Sequence, residues 1–243
     1  MRAPAAPLGR PRIHLRSTGS TNDRARELAL AGAPHGTLVT AGEQTAGRGR
    51  QGRRWSAPAG RALLMSLLLR EPPALLPLIA ALAVCDVAGE EALIKWPNDV
   101  VFAHAGEDEG EAATLAKVAG ILAEGRPQQG WAVLGIGLNV AVRLEDLPPE
   151  LHATAATLGR TQSEVETALQ ELLATLQRRL AEPAERTLDA WRERDALRGR
   201  TIFWSGGEGR ADGVDGAGRL VVALAGGGRT ALDAGEVHLR LDG

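Results

Sequence analysis

Residues 43–55 read EQTAGRGRQGRRW, and the nine positions from Gly47 onward carry four arginines and three glycines. Flexible backbone and dense positive charge suit two tasks: gripping a nucleic-acid backbone, or cradling one small anionic ligand. The stretch alone does not choose between them. Over 243 residues the net charge is −2, so the basic loop is a local feature rather than part of a broadly basic surface. With no Tyr and two Phe, little is available for stacking on bases.

Outward from the loop, apolar runs alternate with glycine-bearing turns. IHLR is expected as a strand, and Ser20 or Thr21 as the cap of a helix that Gly32 ends. TLVTAGEQ reads as a strand feeding the loop, ALLMSLLLR as a continuous apolar strand, and 73–91 as a buried helix. ALIKWPNDVVF is a strand broken at Pro97, while LAKVAGILAE and WAVLGIGLNVAV are further strands. The glycines of the last one allow close backbone approach. The acidic stretch around 104–113 reads as a hairpin tip or mobile loop.

Ser163 to Arg179 has the strongest helical period, with a capping-box pattern at Ser163 and Glu166, and a second helix is expected over 184–195. From Leu197 short apolar stretches separated by glycines predict a small antiparallel barrel. The fold class is therefore α+β: a mixed, mostly antiparallel sheet with flanking helices and a small C-terminal β unit. The expected divisions are a loose arm over 1–12, a main domain over 13–195 and the β unit over 196–243.

Cys85, the single cysteine, excludes an intrachain disulfide framework and a thiolate metal cluster, and the five histidines have no metal-ligand spacing. The apolar run 75–89 is too short to span a membrane, and residues 1–12 do not resemble a signal peptide. These features suit a reduced cytoplasmic protein. Of 28 basic residues only Lys95 and Lys117 are lysines, and both fall in glycine- or polar-rich segments attached to apolar strands. A lysine offers a compact point charge that the planar fork of arginine does not reproduce.

Taken together and in order, EQTAGRGRQGRRW, KWPNDV (95–100), KVAGILAE (117–124) and GIGLNV (135–140) resemble the catalytic domain of biotin protein ligases. The likeness runs from about Ser17 to the end of the chain. It implies a class II aminoacyl-tRNA-synthetase-like catalytic domain with an SH3-like C-terminal β-barrel. It also implies a two-step reaction in which biotin and MgATP give biotinyl-5′-AMP and pyrophosphate. The acyl group then passes to one lysine of a biotin carboxyl carrier protein domain.

The residues suit that chemistry, because attack of a carboxylate on a phosphoryl group gathers negative charge that fixed cations and N–H groups must offset. The resemblance assigns Ser20, Thr21, Asn22, Gln44, Gly47, Arg48, Lys117 and Gly120 to biotin. It assigns Arg48, Arg50, Arg53, Trp55, Lys95, Asn98 and Asn139 to ATP or the adenylate. Lys117, Arg48, Arg50 and Asp99 become the catalytic set, and Asp99 the candidate Mg²⁺ contact. Lys95 is read either as a phosphate contact or as a partner of Asp99. Arg53 and Arg54 either face pyrophosphate or are merely solvated.

The chain departs from the family pattern in its long acidic segment before Lys117. The DNA-binding domain of bifunctional members is not expected, nor is operator binding. The apolar edge strands near GIGLNV are a candidate homodimer contact. The nearest rival is a lipoate or octanoate protein ligase of the same fold, and the rival from another class is a nucleic-acid-binding module. Neither explains KWPND beside GRGRQG.

Overall fold

The computed structural model describes residues 7–104, 114–126, 129–234 and 240–241. The acidic segment flagged above therefore lies almost wholly outside the described residues. The first sheet is built from β1 (Arg12–Leu15), β2 (Leu38–Ala41), β3 (Ala62–Arg70), β4 (Leu93–Lys95), β5 (Asp99–His104), β6 (Thr114–Arg126) and β7 (Trp131–Asn139). Their order across it is β1-β2-β3-β7-β6-β5-β4. All neighbours are antiparallel except β1 and β2, which run parallel with α1 (Thr21–Leu30) between them in sequence. The sheet is mixed, as expected. β7, however, pairs with β3 on one side and β6 on the other, so GIGLNV is the centre of the sheet and offers no free edge for a second copy.

α2 (Leu76–Ala88) is apolar on every side and is correspondingly buried, with Cys85 inside it. Burial pushes that thiol up to about 12, which leaves it an inert packing group. α3 (Val165–Leu180) packs on α2 through Ala168, Leu169, Leu172 and Leu176, spaced at the helical period. Its capping box lies two residues earlier than expected. Thr161 and Glu164 bond reciprocally at the head of a 3-10 turn over Gln162–Glu164, and this turn leads into the helix. Ser163 is used inside that turn, its hydroxyl 3.0 Å from that of Thr161.

The arm expected over 1–12 is not loose along its described part. Gly9 donates to the Gly36 carbonyl at 2.9 Å, Leu8 to Gln177 at 3.2 Å, and Arg12 already belongs to β1.

After α4 (Ala184–Glu193) a second sheet forms from β8 (Thr201–Trp204), β9 (Gly207–Val214), β10 (Leu220–Ala223), β11 (Arg229–Leu232) and β12 (Arg240–Leu241). Its order is β11-β10-β9-β8-β12. The junction near 195 is stitched to the first sheet: Ile94 donates to the Arg194 carbonyl at 2.7 Å and Ala196 to the Ile94 carbonyl at 3.0 Å. This cover satisfies the outer edge of β4, which would otherwise be open. The fully buried Trp96 donates its indole N–H to the Gly218 carbonyl of the second unit at 3.1 Å. Ile202, Val214, Leu220 and Val222 belong to the same apolar cluster as α2 and β6.

Asp195 sits at this junction with burial pushing its carboxyl up to about 6, although the Leu197 and Arg198 amides pull the other way. Its folded value exceeds the ordinary 3.8, so the protonated form is the better fit. Below the ordinary value there is no penalty, through the interval between the two it grows with pH, and above about 6 it is constant. That interval corresponds to about 3 kcal/mol. Asp195→Asn should therefore raise stability near neutral pH by about 1–3 kcal/mol, with the gain fading toward acidic pH. Urea denaturation at two pH values checks it, and a gain independent of pH would contradict it.

Candidate active site

One face of the central strands carries a cavity of about 180 Å³ whose floor is glycine. Gly135 and Gly137 lie two apart on β7 and so face the same side, and Gly120 on β6 is paired across from Gly137. Each glycine makes room for a particular neighbour. A Cβ at Gly137 would come within 2.5 Å of the Trp55 ring, and one at Gly120 within 3.0 Å of it. A Cβ at Gly135 would collide with the Asn22 amide oxygen. The three positions have thus given up their side chains so that Asn22 and Trp55 can lie on the sheet.

Above Gly135 is a neutral hydrogen-bonding net. The Gln44 side-chain oxygen accepts from the Thr21 amide at 2.7 Å and from the Thr21 hydroxyl at 2.9 Å. The Ser66 hydroxyl lies 2.8 Å from Thr21 Oγ1 and 2.6 Å from Asn22 Oδ1. Asn22 Nδ2 donates to Glu124 Oε2 at 2.9 Å and to the Leu122 carbonyl at 3.3 Å. Ser20, the N-cap of α1, is buried on the same wall and makes no side-chain cap bond.

Above Gly120 and Gly137 the wall becomes cationic. Arg48, Arg50, Arg53, Arg54, Lys95 and Lys117 line the cavity against one carboxylate, Asp99. A β-bulge aims Lys117. Val100 pairs with Ala119 but Val101 with Lys117, so Val118 is the extra residue. Lys117 and Gly120, three apart, would face opposite sides of an unbroken strand, and the bulge brings both to the cavity. Lys117 Nζ stands 2.7 Å from Asp99 Oδ1 and 5.4 Å from the centre of the Trp55 ring. The indole N–H of Trp55 is buried with no hydrogen-bond partner among the described residues.

KWPND forms the tight link between β4 and β5, with Lys95 paired across from Asp99. Asn98 donates to the Ile121 carbonyl at 2.9 Å and accepts from Arg50 at 3.3 Å. Burial lowers the affinity of Arg50 for its proton, Asp99 opposes this, and Arg53 adds to it. Lys95 is likewise pulled below the ordinary lysine value, first by burial and then by Lys117, Arg53 and Arg200, with Asp99 opposing.

An anion arriving beside Lys95 favours its charged form, so binding of a polyphosphate takes up a proton at alkaline pH. Affinity for added polyphosphate should weaken on the alkaline side earlier than an ordinary lysine would dictate. Lys95→Arg, whose charge does not titrate, should flatten that limb. A limb unchanged in the variant would remove Lys95 from phosphate binding.

The glycine-arginine stretch is a hairpin over this end. Trp55 donates to the Gly47 carbonyl at 3.0 Å and Gly49 to the Arg53 carbonyl at 2.8 Å, with Gln51 and Gly52 in left-handed conformation at the tip. Arg48 at its base donates to Asp23 at 2.6 Å and to Glu124 at 3.0 Å. The Asp23 hydrogen bond is the leading cause that raises its pKa.

Of the residues named from the sequence, Ser20, Thr21, Asn22, Gln44, Arg48, Arg50, Arg53, Trp55, Lys95, Asn98, Asp99, Lys117 and Gly120 are gathered on one cavity. Two are not on its wall. Gly47 stays in the hairpin base, where a side chain would strike the Trp55 carbonyl. Asn139 shares the glycine face of β7 but is covered by the segment 154–158, donating to the Ala156 carbonyl at 2.9 Å. That segment also bonds the backbone of Lys117.

Among the described residues Asp99 is the one carboxylate on the wall, and it is paired with Lys117. Among the described residues no group of three or more His, Cys, Asp or Glu could hold an ion. Ser66, Asp23, Glu124 and Met65 were not singled out from the sequence. Only Ser66 carried a signal, as the single polar residue inside the apolar run 62–69.

Comparison with known proteins agrees with this geometry. The profile of the biotin/lipoate A/B protein ligase family matches residues 14–140. A biotin–[acetyl-CoA-carboxylase] ligase of Mycobacterium tuberculosis is 36% identical over 92% of this chain and 87% of its own length. The bifunctional ligase/repressor BirA of Bacillus subtilis is 37% identical over 65% of this chain. The match covers 49% of that protein, so the chain spans about half the length of the Bacillus relatives. A biotin protein ligase from Aquifex aeolicus, solved in complex with biotin and ATP, superimposes with a TM-score of 0.75 at 26% identity. It covers 96% of this chain and 100% of its own. With the profile matching just over half of its residues and a relative aligned along nearly all of it, the chain belongs to the biotin/lipoate A/B protein ligase family.

Proposed function

We propose that this protein is a biotin protein ligase. It activates biotin with MgATP to biotinyl-5′-AMP, releasing pyrophosphate, and transfers the acyl group to a lysine of a biotin carboxyl carrier protein domain. The observation that carries the reading is the polarity change along one glycine floor. A neutral net of Ser20, Thr21, Asn22 and Gln44 lies at one end and a cationic wall at the other, with Lys117 on the cationic side beside Trp55. A ureido ring offers two N–H donors and a carbonyl acceptor, which hydroxyl and amide groups match. The carboxylate at the far end of biotin's side chain and the phosphates of ATP would lie toward the cations.

In the first step the carboxylate oxygen attacks the α-phosphorus and the bond to pyrophosphate breaks. Lys117 exchanges Asp99 for the gathering anionic charge, and Arg48 and Arg50 supply charge-assisted donors. Asp99 is the residue that would contact a Mg²⁺ carried on the ATP phosphates, where such an ion would offset phosphate charge. Trp55 and Asn98 border the adenosine, and Arg53 and Lys95 face the departing pyrophosphate. In the second step the amine of the carrier lysine attacks the acyl carbon, AMP leaves, and the hairpin over 47–55 limits escape of the mixed anhydride. We read the second sheet as SH3-like and as support for this end through Trp96. In this reading the work is cytoplasmic, without a specific DNA site.

The relatives named above are biotin ligases, which favours biotin over lipoate. Exchange of labelled pyrophosphate into ATP tests the substrate. Biotin should drive it, and lipoate or octanoate should not. Exchange driven equally by lipoate would overturn the reading.

A further inference from the structure

Glu124 holds Asn22 of the biotin end and Arg48 of the hairpin base at once yet does not line the cavity itself. We infer that Glu124 is a positioning residue that latches the base of the 47–55 hairpin to the biotin end. The inference rests on the biotin-ligase reading. One oxygen of the Glu124 carboxylate accepts from Arg48 at 3.0 Å, and the other accepts from the Asn22 amide at 2.9 Å. Arg48 spends its other terminal nitrogen on Asp23, the residue that follows Asn22 on α1. The hairpin base, the first turn of α1 and strand β6 are thereby tied at one point.

The tie also orients Asn22. With Nδ2 engaged by Glu124 and the Leu122 carbonyl, Oδ1 is turned toward Ser66 at 2.6 Å, over the space left by Gly135. Without the Glu124 charge, the Asn22 amide loses the shorter of the two bonds that fix which way it points. Arg48 keeps only Asp23. Since Arg48, Asp23 and Glu124 are all partly exposed, the pairs contribute little to global stability. The expected effect is local: a looser hairpin base and a less ordered biotin end, with the fold intact.

Glu124→Gln keeps the shape and removes the charge. With biotin at saturation, trypsin should cut at Arg48, Arg50, Arg53 or Arg54 about fivefold faster or more than in the wild type, while cutting at Arg178 and Arg186 stays unchanged. In pyrophosphate exchange the KM for biotin should rise about tenfold, with kcat and the KM for ATP little changed. Combined with Arg48→Ala, the variant should be cut at the hairpin no faster than Arg48→Ala alone, because both remove the same tie to the hairpin, while the loss at Asn22 still raises the KM for biotin. Hairpin cleavage at the wild-type rate, equal rises in both KM values, or simple additivity in cleavage would each overturn the inference. Absence of biotin-driven exchange in the wild type would instead overturn the functional reading on which the latch rests.

Discussion

Lys117→Ala is expected to lower kcat for adenylate formation by about a thousandfold while leaving the thermal midpoint nearly unchanged. The first half follows from its place beside Asp99 on the cationic wall, against the Trp55 ring. The second follows from its partial exposure, which means that no buried packing is lost. Removing the ammonium also unmasks the charge of Asp99, an anion facing an anionic substrate. Lys117→Ala with Asp99→Asn separates the two causes. If the deficit came from the unmasked carboxylate, the double variant would recover most of the rate. If Lys117 acts on the substrate, the double variant stays low. Lys117→Arg should rescue poorly, since a planar fork does not fit the space of a compact ammonium next to Gly120. Pyrophosphate exchange near the wild-type rate in Lys117→Ala would remove this residue from the chemistry.

Gly137→Val is the second large effect, expected to lower kcat/KM for ATP by about a hundredfold, or about 3 kcal/mol. Gly137 lies in β7, a central strand, and is not among the glycines held at positive φ. The backbone therefore tolerates valine, which suits a strand. The collision is with Trp55, whose ring comes within 2.5 Å of a Cβ at this position. The indole must lift from the floor, taking its buried N–H and its contact with Lys117 out of place. A red shift of tryptophan emission should accompany the kinetic loss. Unchanged emission and normal kinetics would mean that Trp55 does not depend on the glycine floor.

These two residues also mark how far the sequence could be read. The apolar run of β3 and the period of α3 set those elements, because burial imposes regular spacing on them. The GR-rich loop, KWPND and GIGLN were legible because close backbone approach and local charge need particular residues at adjacent positions. Partnerships across long separations were not. Glu124 meets Asn22 across 102 positions and Arg48 across 76, and no local pattern records either. The bulge at Val118 cannot be inferred from alternation, which would put Lys117 and Gly120 on opposite faces. Alternation also misled for Asn139, which shares a face with Gly135 and Gly137 until a later segment covers it. GIGLNV lies at the centre of the sheet because strand order is a tertiary property, and a strand sequence alone does not say how many neighbours it has.

In the proposed activity the neutral and cationic ends of one cavity join biotin to adenylate and then pass it to a carrier lysine. The most direct measurement is ATP-dependent transfer of labelled biotin onto a biotin carboxyl carrier protein domain, with lipoate as competitor. Label is expected on a single carrier lysine, dependent on ATP and on Lys117, and undiminished by excess lipoate. Transfer of lipoate in place of biotin, or no ATP-dependent transfer by an intact protein, would contradict it.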